Sequence, residues 1–248
     1  MNLINEYSIE KSPYPVIIYE NFLDIEKCNY IVSILNNKNN FDQNVMGGRK
    51  IIDVGTDNFK ILLNDKSFLE LFNFFNSKEI FNLFLEKLIK KSKFDKTLLN
   101  SLDNFTYSKK YNFSEILKIF NYFSHTIYLD FNFSLSQKGY KREIHRDKDN
   151  RIINFLLYFN EIKSNKGGDF EIYDQTDANA TLSRHPDKNL LNQFLEITPK
   201  PGKLIVFLSS PNSYHAVSEM MDDEDKRFFV YGSYSTNKKQ FPWQKFKV

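Results

Sequence analysis

Two histidines and an aspartate stand where extended segments could bring them together. In His145-Arg146-Asp147 the side chains at i and i+2 leave a strand on one face, so His145 and Asp147 can reach one cation while Arg146 points away. His215 lies in Pro211-Asn212-Ser213-Tyr214-His215-Ala216-Val217, directly after the apolar run Leu204-Ile205-Val206-Phe207-Leu208, and is the candidate third ligand. Two neutral imidazoles and a carboxylate on one triangular face leave roughly three positions of an octahedron open, enough for a bidentate oxoacid and dioxygen on ferrous iron. Further on, Arg227, Phe229 and Tyr231 share one face of Arg227-Phe228-Phe229-Val230-Tyr231. A cation flanked by aromatics reads as inward-facing and suits the anchoring of a dicarboxylate.

Each residue also has a plainer reading. A lone His-x-Asp is more often a surface turn than a metal site. His125 and His185 compete as third ligand, but His125 falls between a helical pattern and a strand, and His185 sits in the polar stretch from Asp174 to Lys188. Arg227 could be a surface residue after the acidic run Asp222-Asp223-Glu224-Asp225, with Lys226 as the alternative cation. The triplet His145-Arg146-Asp147 also occurs in protein-kinase catalytic loops. Those need an asparagine five residues after the aspartate, where Ile152 stands, and a Gly-rich phosphate loop that Gly47-Gly48 and Gly167-Gly168 do not supply.

The elements that must position these groups follow from periodicity. Pro15 to Tyr19 reads as a short strand, and Asp24 as the N-cap of a helix whose apolar face is Ile25, Cys28, Ile31, Val32 and Leu35. Gly47 to Asp57 reads as loop and strand. Ser67-Phe68-Leu69-Glu70 has capping-box form, and a second start at Ser77 runs through Ile80, Phe81, Phe84, Leu85 and Leu88, which predicts two helices up to about Lys91. Ser114 to Phe123 predicts another helix. Ile127, Leu129, Phe131, Phe133 and Leu135 alternate with polar residues, the pattern of a half-buried strand. Short strands with turn signals then continue to Tyr234, which fits a sandwich or jelly roll. Gln175 to Gln193 interrupts them, either as a mobile flap or as a variable surface loop.

The order of parts matters as much as each part. Arg151 to Asn160, Gly167-Gly168-Asp169-Phe170-Glu171-Ile172-Tyr173, and Ile197 to Lys203 before the run ending at Leu208 complete a composite pattern with His145, Asp147, His215 and Arg227. In this the chain resembles the prolyl-hydroxylase-like branch of the iron(II)/2-oxoglutarate-dependent dioxygenases, from roughly Tyr14 to Ser235 and most sharply from Gly139 to Tyr234. The resemblance implies a mainly β fold with helical additions, a double-stranded β-helix or jelly roll (124–235) backed by a helix-rich N-terminal support (1–123), with a tail at 236–248, all in one domain. It implies that His145, Asp147 and His215 bind Fe(II), that Arg227 pairs with the distal carboxylate of 2-oxoglutarate, and that Tyr158 hydrogen-bonds the same carboxylate. Asn154 is a further candidate contact on the same strand face. Dioxygen would be the oxidant and ascorbate an optional reductant, and the product a hydroxylated peptide or small molecule, with succinate and CO2 released. The gap from His215 to Arg227 is longer than in relatives, and Leu135 or Ser136 stands where some relatives place a tyrosine. Halogenating relatives lack the carboxylate that Asp147 supplies, and nucleic-acid dealkylases carry a second arginine where this chain has Ser233. The alternatives are a non-catalytic jelly-roll binding module and a zinc hydrolase, the latter leaving Arg227 and Tyr158 without a role.

Composition agrees with a folded enzyme. The 248 residues can bury a sizeable core, and 34 basic and 31 acidic residues, net +3, are scattered without a long basic block, so nucleic-acid binding is not indicated. The single cysteine, Cys28, excludes an intramolecular disulfide, suggests a reducing compartment and reads as core packing. The N-terminus lacks a basic start with an apolar stretch, and no run of about 18 apolar residues occurs, so a cytoplasmic protein with no membrane partner is expected. Gly47 to Lys50 and Gln175 to Lys188 are the expected substrate-selecting surfaces.

Overall fold

Strand periodicity of two, applied to strands that carry apolar residues on one face and mixed residues on the other, produces a three-layer molecule. The computed structural model describes residues 7–10, 13–37, 41, 43–45, 48–89, 105–107, 125–162, 166–177, 179–222 and 224–237. Its elements are β1 (Tyr7–Glu10), β2 (Val16–Tyr19), α1 (Ile25–Asn37), β3 (Gln43–Val45), β4 (Arg49–Asp53), α2 (Asp57–Leu62), α3 (Lys66–Phe75), α4 (Lys78–Ile89) and β5 (Phe105–Tyr107). They continue with β6 (His125–Ser136), β7 (Arg142–His145), β8 (Arg151–Tyr158), β9 (Phe170–Gln175), β10 (Leu191–Ile197), β11 (Leu204–Leu208), β12 (Tyr214–Val217) and β13 (Arg227–Thr236).

The large sheet runs β1-β2-β11-β8-β13-β6-β4-β3, with β5 beside β6, and the small one runs β10-β9-β12-β7. From β6 onward the chain passes back and forth between the two sheets, and apart from β5 with β6 the pairings are antiparallel. This is the expected double-stranded β-helix, with helices packed on the outer face of the large sheet. No helix among the described residues is long and apolar enough to cross a membrane.

The large sheet buries both faces. Its outer face presents Phe131 and Phe133 of β6, Phe155 and Leu157 of β8, Val206 of β11 and Val230 of β13 to Phe59, Phe68, Phe72 and Phe75 of the helices, one continuous apolar cluster. Phe155 stacks on Phe75 with ring centroids 4.3 Å apart, and Phe131 meets Phe72 edge-on at 5.6 Å. Such pairs contribute roughly 0.5–1.5 kcal/mol each beyond the area they bury. Cys28 belongs to this cluster, and burial pushes its thiol up to about 12, so it packs as a neutral apolar group. The inner face, toward the small sheet, packs Leu156, Tyr158, Phe229 and Phe207 against Phe170 and Ile172.

Several local expectations change. The strand β6 is not half-buried: Asn132, Ser134 and Ser136, read as its solvent face, are buried, with Ser134 Oγ donating to Asn132 Oδ1 at 2.6 Å and Ser136 Oγ 3.4 Å from Arg227. The helix expected to begin at Ser67 begins at Lys66, since Asp65 is the cap and accepts from the Ser67 N–H at 2.8 Å. Asp24 does cap α1, accepting from the Lys27 N–H at 2.8 Å, but Ile25 faces solvent. Thr56 caps the unanticipated helix α2 through the Phe59 N–H. The ends of the 175–193 interruption are strand, Leu191 pairing with Gln175, so the irregular part is shorter than the composition suggested. The helix expected at 114–123 lies outside the described residues.

Candidate metal centre and its pocket

The strands β7 and β12 pair so that His145 and His215 are direct cross-strand partners. Asp147 lies just past the end of β7, so its approach to the histidines owes as much to the turn after the strand as to the i, i+2 rule. The candidate ligand atoms of the three residues all lie within 4.8 Å of one another, and all three side chains are buried.

Hydrogen bonds fix which atoms face inward. His145 Nδ1 donates to the carbonyl of Glu143 at 2.8 Å, and His215 Nδ1 to that of Ser213 at 2.9 Å. Each ring therefore carries its proton on Nδ1 and turns the Nε2 lone pair toward the cluster, the orientation a metal needs. Arg142 Nε donates to His145 Nε2 at 3.3 Å, consistent with that tautomer. Burial, helped by His215, pushes His145 down to about 3, and burial also lowers His215, so both imidazoles are neutral. Burial would raise the Asp147 carboxyl, but Arg151 foremost, with both histidines, holds it well below the usual carboxylate range.

Asp147 Oδ1 accepts from Arg151 Nη1 at 2.5 Å, whereas Oδ2 is buried without a hydrogen-bond donor. Oδ2 lies 3.5 Å from His215 Nε2, yet neither atom has a hydrogen to share when the ring proton sits on Nδ1. Electron pairs from three residues thus converge; that of His145 meets only the long contact from Arg142, and those of His215 Nε2 and Asp147 Oδ2 face each other with no proton between them, an arrangement that repels itself unless a cation lies between. The donor set of two imidazoles and one carboxylate suits Fe(II) with positions open.

A second group adjoins the first. Arg227 is buried at the start of β13, donates to the carbonyl of Gly168, and lies 3.4 Å from Ser136 Oγ. Its guanidinium sits 4.7 Å from the Phe229 ring centroid and 5.2 Å from that of Tyr140. No carboxylate pairs with it among the described residues, and Nε has no partner. Gly168 reaches Arg227 because it and Gly167 adopt left-handed backbone, where a Cβ on Gly167 would lie 1.7 Å from the Glu219 carbonyl oxygen. The Tyr158 hydroxyl is fully buried and also unpartnered, and burial raises its pKa. A buried cation without an anion beside an orphaned hydroxyl is costly in an empty pocket and is matched by a carboxylate.

His145, Asp147, His215, Arg227 and Tyr158 all line one cavity of about 220 Å3. Asn154 does not line it: this residue is fully buried on the same face of β8, opposite Ser233 and Phe207, with both amide atoms unpartnered. The ring of His185 lies parallel to that of His145, centroids 6.0 Å apart, on an exposed residue outside the three-residue cluster. The His125 side chain lies outside the described residues. Lys226 points away to Asn36. The sequence pattern singles out neither Arg151 nor Tyr140 and includes Arg49 only within the stretch Gly47 to Lys50. Arg151 had a signal, a lone cation opening an apolar strand, while Arg49 and Tyr140 enter only through tertiary packing.

Residues 130–234 match the family model described as the 2OG-Fe(II) oxygenase superfamily. No curated protein matches the chain. Among solved structures, the non-heme alpha-ketoglutarate-dependent epimerase SnoN from nogalamycin biosynthesis is 9% identical, over 89% of this chain and 78% of its own, with a TM-score of 0.51, a likeness of fold. A prolyl-4-hydroxylase from Pseudomonas putida is 14% identical over 90% and 94%, with a TM-score of 0.48.

Proposed function

We propose that this chain, a member of the 2OG-Fe(II) oxygenase superfamily through residues 130–234, is an Fe(II)- and 2-oxoglutarate-dependent dioxygenase that hydroxylates an unactivated carbon of a peptide or small molecule. One observation supports this reading above the others: two neutral imidazoles and an ionised carboxylate converge, buried, in the same small cavity as an unpaired guanidinium and an unpartnered tyrosine hydroxyl. A structural metal would use the first half alone. The second half calls for a dianionic ligand held at both ends.

His145, Asp147 and His215 would hold the iron. Arg151 keeps Asp147 ionised and fixes one oxygen, so that the other is directed at the imidazoles. Arg227 and Tyr158 would bind the distal carboxylate of 2-oxoglutarate, with the carbonyl of Gly168 orienting the guanidinium. Phe229 and Tyr140 flank that guanidinium and keep water from competing for it. When bound, iron and 2-oxoglutarate supply the oxidising chemistry, in which dioxygen is consumed to give succinate, CO2 and a hydroxylated carbon.

The test is anaerobic addition of ferrous iron and 2-oxoglutarate. A weak visible charge-transfer band that needs both components, together with iron-dependent succinate release in air, is the expected result. A protein that binds metal but shows neither the band nor succinate release would be a binding module or a hydrolase.

A further inference from the structure

The charges around the cavity are lopsided. The chain as a whole is close to balanced, yet the cavity is lined by six cations, Arg49, Arg142, Lys148, Arg151, Arg184 and Arg227, against one carboxylate, Asp147, which is itself a candidate iron ligand. Loading the site does not remove the excess, because the two positive charges of Fe(II) and the two negative charges of 2-oxoglutarate cancel. The neighbouring groups already account for two of the cations: Arg227 faces the cosubstrate position and Arg151 holds Asp147.

Arg49 stands out among the rest. It opens β4 at the sheet's far side, and its guanidinium lies 6.0 Å from the Phe229 centroid and 5.5 Å from that of Tyr231. Arg227 lies over the same Phe229, and Arg151 over the same Tyr231 at 5.1 Å. Three guanidiniums and two rings thus form one alternating row. Arg49 Nε is buried without a hydrogen-bond partner, and no carboxylate among the described residues pairs with the group. Three like charges along one wall repel each other, and with Arg227 and Arg151 already assigned, Arg49 is the one whose fork of N–H donors is left for a planar oxoanion. The cavity volume of about 220 Å3 falls below the roughly 300–1,000 Å3 of ordinary ligand sites, so beside the cosubstrate it admits one small group of the substrate.

Resting on the oxygenase reading, we infer that the prime substrate carries a carboxylate or phosphate, and that Arg49 binds that group beside Tyr231. Lys148 and Arg184, further along the cavity wall, add to the attraction without being assigned a contact.

The experiment uses full-length protein loaded anaerobically with Fe(II) and saturating 2-oxoglutarate, with the visible band confirming that both are bound. Calorimetric titration then compares matched probes, phenyl phosphate beside phenol and benzoate beside benzamide. At least one anion should bind while its neutral partner does not, added salt should weaken that binding, and Arg49→Gln should weaken it roughly tenfold. The affinity for 2-oxoglutarate should be the same in both proteins. Preference for phenyl phosphate assigns a phosphorylated substrate and preference for benzoate an acid, either of which supports the inference. Equal binding of charged and neutral probes, no binding of any probe to the loaded protein, or an Arg49→Gln effect on 2-oxoglutarate instead, would overturn it while leaving the oxygenase reading intact. Absence of the band would remove the oxygenase reading itself.

Discussion

The two faces of the large sheet are built from alternate residues of the same strands and have opposite characters. On β8, Ile153, Phe155 and Leu157 face the helices, while Asn154, Leu156 and Tyr158 face the small sheet. On β13, Phe228, Val230 and Tyr234 face the helices, while Arg227, Phe229 and Tyr231 line the cavity. The helix side is aromatic and continuous, and its one buried hydroxyl of that set, on Tyr234, donates to the carbonyl of Phe75 at 2.7 Å. The cavity side keeps buried polar atoms unsatisfied on Asp147, Asn154, Tyr158 and Arg227. A fold tolerates such orphans only if something else holds the strands in register, since a slip of one residue would exchange the two faces. The outer face thus supplies the stability that the inner face forgoes for ligand binding.

If that division is right, substitutions should separate activity from stability according to face. The largest effect is expected from Asp147→Ala, which removes a ligand and leaves the Arg151 guanidinium donating to the Tyr231 hydroxyl. Iron-dependent succinate release should fall below detection while the thermal midpoint of the metal-free protein changes little. Full turnover in this variant would end the ligand assignment. Next is Phe155→Ala on the opposite face, which opens a void beside Phe75, Phe131 and Tyr234. It should cost about 3–5 kcal/mol in urea unfolding, with the folded fraction still binding iron and 2-oxoglutarate. A small stability loss would mean that the outer face is less well packed than its ring geometry indicates.

Arg227→Ala should follow. The lost charge-assisted pair lies in a desolvated pocket, so the affinity for 2-oxoglutarate should drop by about 1.5–3 kcal/mol, roughly ten- to a hundredfold, with the iron affinity preserved. An unchanged 2-oxoglutarate affinity would move the anchor elsewhere, with Arg49 the nearest cation in the row.

How much of this was legible beforehand differs between the two faces. The apolar face of β6 and the amphipathic α3 and α4 were plain, because burial against helices leaves an unbroken period in the sequence. The inner face differs from expectation at Asn132, Ser134 and Ser136, since short polar residues buried inside the fold look the same in sequence as residues facing water. Of the site, the His145, Asp147, His215 and Arg227 set was visible because those side chains are chemically distinctive and their spacing follows the strands. Arg49 was legible only as part of the stretch Gly47 to Lys50: it approaches Tyr231 from β4, separated from β13 in the sheet by β6, and no local period marks such an approach.

The smallest predicted effect discriminates best, because its two readouts should move in opposite directions. The Tyr158 hydroxyl is buried without a partner, so in the ligand-free protein it costs desolvation and returns nothing. Tyr158→Phe removes that cost and keeps the ring that packs 6.2 Å from Phe229. The ligand-free protein should therefore be as stable as the parent or more so, by up to about 1 kcal/mol. With 2-oxoglutarate bound, the same hydroxyl would donate to a carboxylate, and its loss should weaken binding by about 1 kcal/mol, close to fivefold. Thermal midpoints measured with and without 2-oxoglutarate read both quantities on one sample. If the variant lost stability in both states, the hydroxyl would be a structural group satisfied by water, and the pairing of Arg227 with Tyr158 as one carboxylate clamp would be wrong.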